Sequence, residues 1–476
     1  MPKMASDILQ NLGGSGFEVY ITGGVVHDII LERPLLDWDF TTSATPTEIL
    51  SVFPDAFYNN RFGTVGLADP DIPGCVYDIT TFRTEVAYSD RRHPDEVCWG
   101  KTLEEDITRR DFTVNAMALK PIKKIKSRTS PKLPAEDRSN RSATTVWEME
   151  LSDTVGGQED LKNRLIRAVG DPDERLKEDA LRMMRAVRIA TQLGFLIEEK
   201  TFAAIGNNTK LLGDISAERI RDELLKTMAT DYPADGIKLL RNSGILDQVL
   251  PELSRCFGVE QKSPGRHHIY DVGTHLVLSL ANCPSKDPLV RLATLLHDIG
   301  KPLTYRRDDQ TGMITFYNHE LVGTHLVREI AYRLRLSRQQ RDLLVKLVRW
   351  HQFTVDEHQT DSALRRFIRN VGVENLEAML ALRTGDRLGG GARETSWRLE
   401  TFKTRLAQVQ QVPFQVKDLK ISGYDVMQEL EIPSGPLVGK ILDQLFVEVD
   451  EGRLANEKEP LLARMRELGQ TKQEKK

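Results

Sequence analysis

The chain of 476 residues is longer than a single hydrophobic core usually organises, so we expect roughly two to four domains. No apolar run approaches the ~20 residues of a membrane span and no apolar signal-peptide core follows the start, which predicts a cytoplasmic protein without membrane segments. The net charge of −4 excludes a uniformly basic chain, so any nucleic acid must be bound by local patches.

The first predicted elements are short strands separated by turns and helices, from residue 17 to 120. Runs such as FEVYITGG and CVYDITTF carry the β-branched and aromatic residues of strands, and the mixture predicts an α+β domain. Gly23 and Gly24 follow the first run and precede a helix-like stretch. Backbone N–H groups at such a turn can bind phosphate, although most Gly-Gly pairs only form turns.

Acidic residues form the next feature. If LLDWDF is a strand, its two-residue period places Asp37 and Asp39 on one face and Trp38 on the other. Two carboxylates so placed can share divalent cations, and an oxygen-only site suits Mg²⁺. Asp78 lies in a second alternating run and completes a carboxylate trio, unless it is an ordinary exposed strand residue.

Basic residues precede the apolar run FTVNAMAL. Arg109 and Arg110 carry guanidinium groups that can hold phosphate oxygens in pairs, and Asp111 follows them. The alternative is a solvated helix start. Further on, the segment 121–141 is rich in Lys, Arg, Pro and Ser, which predicts a solvated polar insertion and is also compatible with nucleic-acid contact.

From about residue 158 the pattern becomes helical. In KEDALRMMRAVRIATQLGF, the spacing predicts that Glu178, Asp179 and Arg182 share one helical face, which by itself is typical of a surface ion-pair cluster. Arg185 and Arg188 follow on the same predicted helix and are explained equally well by RNA or triphosphate contact and by solvation.

Histidine and aspartate residues recur farther along the helical part. The adjacent pair His297-Asp298 follows the apolar run LATLL, and the other members of the set are His275, His319, His351 and Asp386. Imidazole and carboxylate together suit Mn, Ni, Co or Zn as well as Mg. A lone histidine on an apolar helix is usually a core residue, but an adjacent His-Asp pair favours a divalent metal site. Near the C-terminus, Gly435-Pro436 interrupts a predicted amphipathic helical hairpin.

Several of these segments together resemble the class II tRNA nucleotidyltransferase/poly(A) polymerase family. The segments occur in the family's order: GGVVHD, DWDFTTSATPTEI, RFGTVGL, DITTFRTE, RRDFTVNAMAL, GDPDERLKEDALRMMRAVRIATQLGF and ISAERIRDELLK. The resemblance implies a polymerase-β-like nucleotidyltransferase head with Mg²⁺. It also implies addition of CCA, or of its terminal A, to the 3′ end of tRNA from CTP and ATP by a two-metal mechanism without a nucleic-acid template.

The resemblance also implies roles for the residues. Asp37, Asp39 and Asp78 would be catalytic, with Asp37 and Asp39 as metal ligands. Asp179 and Arg182 would contact the incoming base, and Glu178 would orient Arg182. The expected nucleotide-binding residues are Gly23, Gly24, Asp28, Arg109, Arg110, Asp111, Asn115, Glu178, Asp179, Arg182, Arg185 and Arg188.

Two further segments bear on this resemblance. The segment AYSDRRHPDEVCWG (87–100) resembles the family's flexible loop that helps to switch specificity from C to A, which favours an enzyme that adds the terminal A. His27 is a departure, because the family pattern has Arg at this position, and Arg33 is a candidate to compensate. A neutral imidazole donates one hydrogen bond where a guanidinium donates five.

The histidine set resembles the HD phosphohydrolase superfamily. His275, His297, Asp298 and Asp386 match its minimal pattern, and His319 and His351 match the positions that hold a second metal. The resemblance implies an unidentified divalent metal and a phosphodiesterase or phosphatase activity on RNA 3′ ends or nucleotides. The alternative is a metal site with a structural role only.

The expected architecture is therefore α+β, with a nucleotidyltransferase head followed by an all-α neck, body and tail. We place the head at 1–150 with a polar insertion at 121–145, the neck at 151–260, the HD domain at 261–405 and the tail at 406–476. Bacterial poly(A) polymerase remains the alternative, and the lack of a long basic C-terminal extension in this sequence weighs against it. A nucleotide-signalling enzyme and an inactive RNA-binding module are the other classes that we considered.

Overall fold

The computed structural model describes residues 1–35, 37–58, 63–86, 96–100, 102–125, 146–261, 270–353, 359–392, 396–411, 415–451 and 453–473. It divides into two compact units, Met1–Arg255 with Ile330–Leu336, and Cys256–Glu329 with Ser337–Lys476. Within the described ranges, no helix combines the length and apolar character needed to cross a membrane.

The first unit opens with a mixed seven-stranded sheet of order β3-β4-β5-β2-β1-β8-β9. In it, β2 and β5 run parallel, and all other neighbours are antiparallel. β6 and β7 pair separately with each other. The strands are β1 (Val19–Thr22), β2 (Asp39–Thr42), β3 (Phe57–Tyr58), β4 (Thr64–Ala68), β5 (Val76–Thr81), β6 (Arg83–Val86), β7 (Glu96–Trp99), β8 (Ala118–Ile125) and β9 (Val146–Ser152).

Helices connect the strands of this sheet. They are α1 (Lys3–Gly14), α2 (Gly24–Ile30), α3 (Pro46–Val52) and α4 (Leu103–Thr108). Thr45 and Thr102 start α3 and α4 with capping boxes, since each side chain accepts from the backbone N–H three residues on and the Glu there returns the bond. Gly23 starts α2 with a φ of +78°, a conformation that favours glycine.

The rest of the first unit is helical apart from one parallel pair of two-residue strands. Its elements are α5 (Gly157–Asn163), β10 (Leu165–Ile166), α6 (Pro172–Glu178), α7 (Arg182–Leu193), β11 (Leu196–Ile197), α8 (Glu199–Asn208), α9 (Ala217–Ala229), α10 (Pro233–Asn242), α11 (Ile245–Val249) and α12 (Pro251–Ser254). Apolar residues of α7, such as Met183, Val187 and Ala190, are buried and anchor this part.

Two local predictions are wrong. Glu178, Asp179 and Arg182 do not share one helix, because α6 ends at Glu178, Asp179 is extended with φ −145° and ψ 103°, and α7 begins at Arg182. The Asp179 carboxylate accepts a bond from the backbone N–H of Leu181, a side-chain contact that competes with helix continuation. The strand predicted for LLDWDF is shorter than expected, since β2 begins only at Asp39 and Asp37 precedes it.

The described residues of the second unit are also mainly helical and include one antiparallel pair of two-residue strands. Its elements are α13 (Val272–Ala281), α14 (Pro288–Leu296), α15 (Lys301–Thr304), β12 (Arg306–Arg307), β13 (Ile314–Thr315), α16 (His319–Arg333), α17 (Arg338–Trp350), α18 (Asp361–Val371), α19 (Leu376–Gly389), α20 (Trp397–Gln411), α21 (Gly423–Leu430), α22 (Pro436–Asp450) and α23 (Lys458–Gln473). The division into head, neck, HD domain and tail stays a prediction.

The C-terminal helices form a small core of their own. Val426, Ile441, Leu445, Leu461 and Met465 are fully or almost fully buried against one another. The region therefore contains three packed helices, α21 to α23, where the sequence predicted a two-helix hairpin. The predicted break is present between the first two, because Pro436 is the first residue of α22.

Candidate active site and a second histidine cluster

A cavity of about 580 Å³ in the first unit brings together nearly all residues predicted for nucleotide transfer. Its lining includes these predicted residues: Gly23, Gly24, Asp28, Asp37, Asp39, Asp78, Arg109, Arg110, Asp111, Asn115, Asp179, Arg182, Arg185 and Arg188. Glu178 does not line it. Arg83, Arg219 and Lys226 also line the cavity, and the sequence analysis did not select them.

The three predicted catalytic carboxylates converge because of strand register. Asp39 on β2 lies directly opposite Asp78 on the parallel β5, and Asp37 stands two residues before Asp39. Burial, the largest effect, together with the negative charges of Asp78 and Asp37 raises the pKa of Asp39 to about 6, although Arg110 partly opposes the shift. Such mutual repulsion is relieved by a shared cation, so this oxygen-only donor set fits Mg²⁺.

Gly23 allows the close approach of the turn to this site. A Cβ atom at Gly23 would lie 2.8 Å from Oδ2 of Asp39, closer than real Cβ contacts permit. The glycine thus leaves room for the carboxylate in addition to adopting the positive φ of the turn.

Asp106, fully buried, holds the two predicted phosphate-binding arginines. Its Oδ1 lies 2.5 Å from Nη2 of Arg109, and its Oδ2 lies 3.0 Å from Nη2 of Arg110. Burial alone would raise the pKa of Asp106, but the charges of Arg110 and Arg109 outweigh it and lower the pKa below its usual value. The ionised carboxylate therefore fixes both guanidinium groups at the cavity wall.

Asp111 and Arg185 form the next buried pair. Nε and Nη2 of Arg185 lie 2.7 and 2.6 Å from Oδ2 of Asp111, and Nδ2 of Asn115 donates to Oδ1. Burial opposes ionisation, but Arg185 and then Arg182 lower the pKa of Asp111 to about 2. These contacts hold α7 against the segment after α4.

Arg182 and Asp179, the two candidate base-contacting residues, are each held by an ion pair. Arg182 donates to Glu178, which also accepts from Nη1 of Arg175 at 2.8 Å. Asp179 accepts two bonds from Arg219, at 3.2 Å from Nη1 and 2.6 Å from Nη2. Arg219 lies in ISAERIRDELLK, a segment that carried the family resemblance without being tied to Asp179, so only the fold reveals this partnership.

Two predicted positions have protein partners at the cavity edge. Arg188 donates to Glu223 at 2.7 Å. His27 is buried with Nδ1 3.0 Å from Asp28, and Arg33 lies 3.5 Å from the same carboxylate and donates to the backbone of Gln192. His27 lines the cavity and Arg33 does not, so Arg33 supports Asp28 without supplying a guanidinium to the cavity.

Two predicted segments fall on undescribed residues. Most of the loop predicted at 87–100 and most of the polar insertion at 121–145 lie outside the described ranges.

The second unit brings all six predicted metal ligands into one buried cluster. Nε2 of His275 and Nε2 of His297 lie 3.3 and 3.5 Å from Oδ1 of Asp386. Oδ2 of Asp298 faces the same two imidazoles at 3.6 and 3.3 Å. Two overlapping sets have ligand atoms within 4.8 Å of one another, namely His275, His297 and Asp386, and His297, Asp298 and His351.

Asp298 also joins the remaining histidines. Its Oδ1 lies 3.1 Å from Nε2 of His319 and 3.4 Å from Nε2 of His351, so its two oxygens face two different imidazole pairs. Burial opposes ionisation of Asp298, but Lys301 and His297 hold its pKa well below the usual range. An ionised carboxylate can therefore serve both halves of the cluster.

Backbone carbonyl groups orient three of the imidazoles. Nδ1 of His297, His319 and His351 lies 2.7 to 2.8 Å from the backbone oxygens of Thr294, Phe316 and Val348. A carbonyl only accepts, so each Nδ1 carries the proton and each Nε2 points into the cluster. Bonds from Nδ1 to a carbonyl oxygen orient the imidazoles of metal-binding histidines in this way, and this donor set fits a borderline divalent metal.

Comparison with known proteins decides the family. Residues 19–167 match the Poly A polymerase head domain, 194–257 the probable RNA and SrmB-binding site of polymerase A, and 303–465 the putative tRNA nucleotidyltransferase domain 2. The CCA-adding enzyme of Levilactobacillus brevis is 33% identical over 97% of this chain and 96% of its own. The chain belongs to the CCA-adding enzyme family of tRNA nucleotidyltransferases.

Other members of the CCA-adding enzyme family give the same result. The Pediococcus pentosaceus enzyme is 32% identical over 98% of this chain and 99% of its own. The crystal structure of the Bacillus stearothermophilus CCA-adding enzyme in complex with CTP is 26% identical and covers all of both chains with a TM-score of 0.67. The predicted fold class, a mixed polymerase-type head followed by a helical remainder, is confirmed.

Proposed function

We propose that this family member adds CCA, or its terminal A, to the 3′ end of tRNA with CTP and ATP as substrates. The observation that carries the proposal is the single cavity in which Asp37, Asp39 and Asp78 meet Asp179 and Arg182. Carboxylates suited to a hard cation thus share one space with groups suited to reading a base. The related Bacillus stearothermophilus enzyme was crystallised with CTP, which supports the choice of nucleotide.

The proposed chemistry assigns carboxylates of the cavity to Mg²⁺ and arginines to the triphosphate. Asp37 and Asp39, beside Asp78, would hold two Mg²⁺ ions, which when bound would lower the pKa of the RNA 3′ hydroxyl and neutralise the leaving pyrophosphate. Arg109 and Arg110, fixed by Asp106, would bind triphosphate oxygens. The 3′ oxygen forms a bond to the α-phosphorus of the nucleotide while the bond to pyrophosphate breaks, so no side-chain nucleophile is needed.

Base selection would rest on Asp179 and Arg182. A carboxylate accepts from the amino group that cytosine and adenine share, and a guanidinium donates to a ring nitrogen or a carbonyl oxygen. Uracil and guanine carry a carbonyl oxygen in place of that amino group and would face the carboxylate without a donor. The ion pairs with Arg219 and Glu178 keep both groups in position before a nucleotide arrives.

The test is incorporation into tRNA that lacks CCA, CA or only A, with each nucleotide supplied singly. We expect C or A to be added and synthesis to stop at A76, whereas a poly(A) polymerase would continue with A. Asp37→Ala and Asp39→Ala should each abolish incorporation, and Asp55→Ala, an exposed head residue outside the cavity, is the control. Survival of incorporation in either of the first two variants would refute the assignment of the carboxylates.

We also propose that the histidine cluster of the second unit is an HD-type phosphohydrolase centre. His275, His297, Asp298 and Asp386 would hold a divalent metal, with His319 and His351 on the other oxygen of Asp298. A metal bound there supplies a water of lowered pKa and polarises a phosphoryl oxygen. The inward Nε2 atoms support this role over that of ordinary core histidines.

Hydrolysis of 2′,3′-cyclic AMP with added Mn²⁺, Ni²⁺, Co²⁺, Zn²⁺ or Mg²⁺ tests this second activity. His297→Ala and Asp298→Asn should both abolish it, whereas Asp361→Asn, an exposed residue at the start of α18, should not change it. Metal binding without hydrolysis would indicate that the metal at this centre has a structural role only.

A further inference from the structure

Lys226 of α9 lines the nucleotide-transfer cavity, and its side chain is exposed there. Arginines of the same cavity, such as Arg185 and Arg188, are each held by a carboxylate of the protein. Lys226 makes no hydrogen bond or ion pair with any residue that the structure describes. Its ammonium group is therefore available to an anionic ligand in the cavity.

The acidic residues of α9 that are closest to Lys226 are already engaged. Asp222 and Glu223 stand four and three residues before it, spacings at which an acid and a lysine can pair along a helix. However, Asp222 lies 2.7 Å from Nη2 of Arg221, and Glu223 accepts from Nε of Arg188 at 2.7 Å. The helix thus presents a lysine to the cavity and directs its own acids to other cations.

α9 runs alongside α7 in the same direction. Arg219, near the start of α9, pairs with Asp179, which lies just before α7. Glu223, one turn farther along α9, pairs with Arg188 in the middle of α7. Residues later in α9 therefore lie beside residues later in α7.

The same alignment places Lys226 beside the end of α7. A Cβ atom at Gly236 would lie 3.1 Å from Cγ2 of Thr191 and 2.7 Å from Cγ2 of Thr227, so these two threonines meet at one point. Gln192 and Lys226 are their sequence neighbours, and both line the cavity. Lys226 therefore lies near Gln192, at the far end of the cavity wall that α7 forms.

The groups proposed to bind the nucleotide follow one another along α7. Arg182, proposed to contact the base, is its first residue. Burial raises the pKa of Asp39, and Arg185 is close enough for its charge to oppose that rise, so the metal-binding carboxylates lie near Arg185. Gln192 lies roughly 15 Å beyond Arg182 along the helix axis. A nucleotide with its base at the first point and its α-phosphorus at the second therefore extends its outer phosphates toward Gln192 and Lys226.

We propose that Lys226 binds the γ-phosphate of the incoming nucleotide. The inference rests on the proposed nucleotide addition and adds a contact beyond those of Arg109 and Arg110. A lysine ammonium is a compact charge with three donors, which suits the terminal phosphate and its several oxygens. When the 3′ oxygen bonds to the α-phosphorus, the breaking bond leaves its electron pair on pyrophosphate, and the ammonium of Lys226 stabilises that added charge.

Nucleotide binding in the absence of RNA tests the site without any turnover. Lys226→Ala should weaken the binding of CTP with Mg²⁺ about tenfold, since one charge-assisted bond is lost, and should change the binding of CDP and CMP less than about twofold. Isothermal titration calorimetry of the full chain measures the three dissociation constants. Lys226→Arg, which keeps the charge, should bind CTP within about threefold of the parent. Unchanged CTP binding in the alanine variant, or equal weakening of CTP and CMP, would overturn the proposal.

A matched control removes a similar lysine elsewhere in the first unit. Lys210 is exposed, makes no hydrogen bond or ion pair with the described residues, and does not line the cavity. Lys210→Ala should leave all three dissociation constants within about twofold, because it removes the same charge outside the site. A loss of CTP binding as large as that in Lys226→Ala would refute a specific contact.

Kinetics separates a contact to the triphosphate from a contact to the RNA. With tRNA that lacks CCA, Lys226→Ala should raise KM for CTP about tenfold and leave KM for the tRNA within about twofold. A raised KM for the tRNA with an unchanged KM for CTP would overturn the proposal in favour of a phosphate of the RNA.

The same measurements distinguish this site from the proposed function on which it rests. Incorporation by Lys226→Ala with the parent's KM for CTP would contradict the γ-phosphate site and leave nucleotide addition standing. If neither protein extends any tRNA, but the variant loses affinity for CTP and not for CMP, the γ-phosphate site stands and the proposed addition fails.

Discussion

Asp39, in the nucleotide-transfer cavity, has a raised pKa. Its raised pKa of about 6 means that the carboxyl takes up a proton as the pH falls through 6, and in that form it no longer attracts a cation. We predict that the Mg²⁺ concentration for half-maximal incorporation is about tenfold higher at pH 5 than at pH 7. Measuring it at both pH values checks this.

The control for this prediction is Asp78→Asn, which removes a negative charge opposite Asp39 and should lower the pKa of Asp39. The pH at which half-maximal Mg²⁺ begins to rise should then move downward, whatever the variant's absolute rate. A rise that starts at the same pH in both proteins would show that another group is responsible.

Arg219 is predicted to act on base choice through Asp179. Without its two bonds the carboxylate loses its fixed orientation, so Arg219→Ala should narrow the discrimination of ATP and CTP against GTP and UTP by about tenfold. Single-turnover incorporation of each nucleotide measures this. Arg221→Ala, whose side chain contacts Asp222 and the backbone of Arg335, should leave discrimination unchanged; an equal loss in both variants would indicate general destabilisation.

At this scale the sequence predicted most of the residues that line the nucleotide-transfer cavity but not the residues that hold them. Asp39 and His297 were selected from residue type and spacing, whereas Asp179 was selected only through the family resemblance. Asp106 and Arg219 were not, since Asp106 resembles any acid of a helix start, and Arg219 meets Asp179 only through the packing of α9 against α7.

Among the elements, α18 and α22 are joined by a buried carboxylate. The Asp450 side chain is fully buried and accepts from Arg365, and from Nη2 of Arg369 at 3.0 Å. We predict that Asp450→Ala lowers the free energy of unfolding of the second unit by about 2 kcal/mol, since two partly exposed guanidinium groups lose their common partner. Urea unfolding monitored by tryptophan fluorescence measures it.

The neighbouring residue provides a control. Glu451→Ala removes a more exposed acid that pairs with Arg366, and should cost less than about 1 kcal/mol. Equal costs at both positions would show that the burial of Asp450 is not what matters. Incorporation of nucleotides should persist in both variants at temperatures well below unfolding.

Capping residues and competing side chains set the element boundaries. Thr45 and Thr102 begin α3 and α4 with capping boxes, which the sequence analysis did not use. The continuous helix expected through Glu178 and Arg182 is interrupted at Asp179, whose carboxylate accepts from the backbone N–H of Leu181, directly before α7, and from the guanidinium of Arg219. The helical spacing of residues in the sequence does not reveal this competition between side chain and backbone.

For the whole molecule, the two proposed reaction centres lie in different compact units. We predict that His297→Ala abolishes hydrolysis of 2′,3′-cyclic AMP and leaves nucleotide incorporation within twofold, and that Asp39→Asn has the opposite effect. Both assays on each purified variant check this. Loss of both activities in one variant would show that the units depend on each other.

The predicted order of head, neck, HD domain and tail rests on the order of the family segments along the chain and stays a prediction. The structure divides after Arg255 into two compact units, and the inclusion of Ile330–Leu336 in the first unit was not foreseeable. The composition of Ile330–Leu336 does not distinguish this short stretch from the residues on either side of it, which belong to the second unit.

The register of β2 against β5 has a consequence for how activity is lost. Asp39 and Asp78 face one cavity only while these strands pair as they do, and a slip by one residue turns alternate side chains to the opposite face. A misassembled sheet would therefore be wholly inactive. Samples that refold imperfectly should contain fewer active molecules, each with the normal turnover number, which counting active sites by a single-turnover burst would reveal.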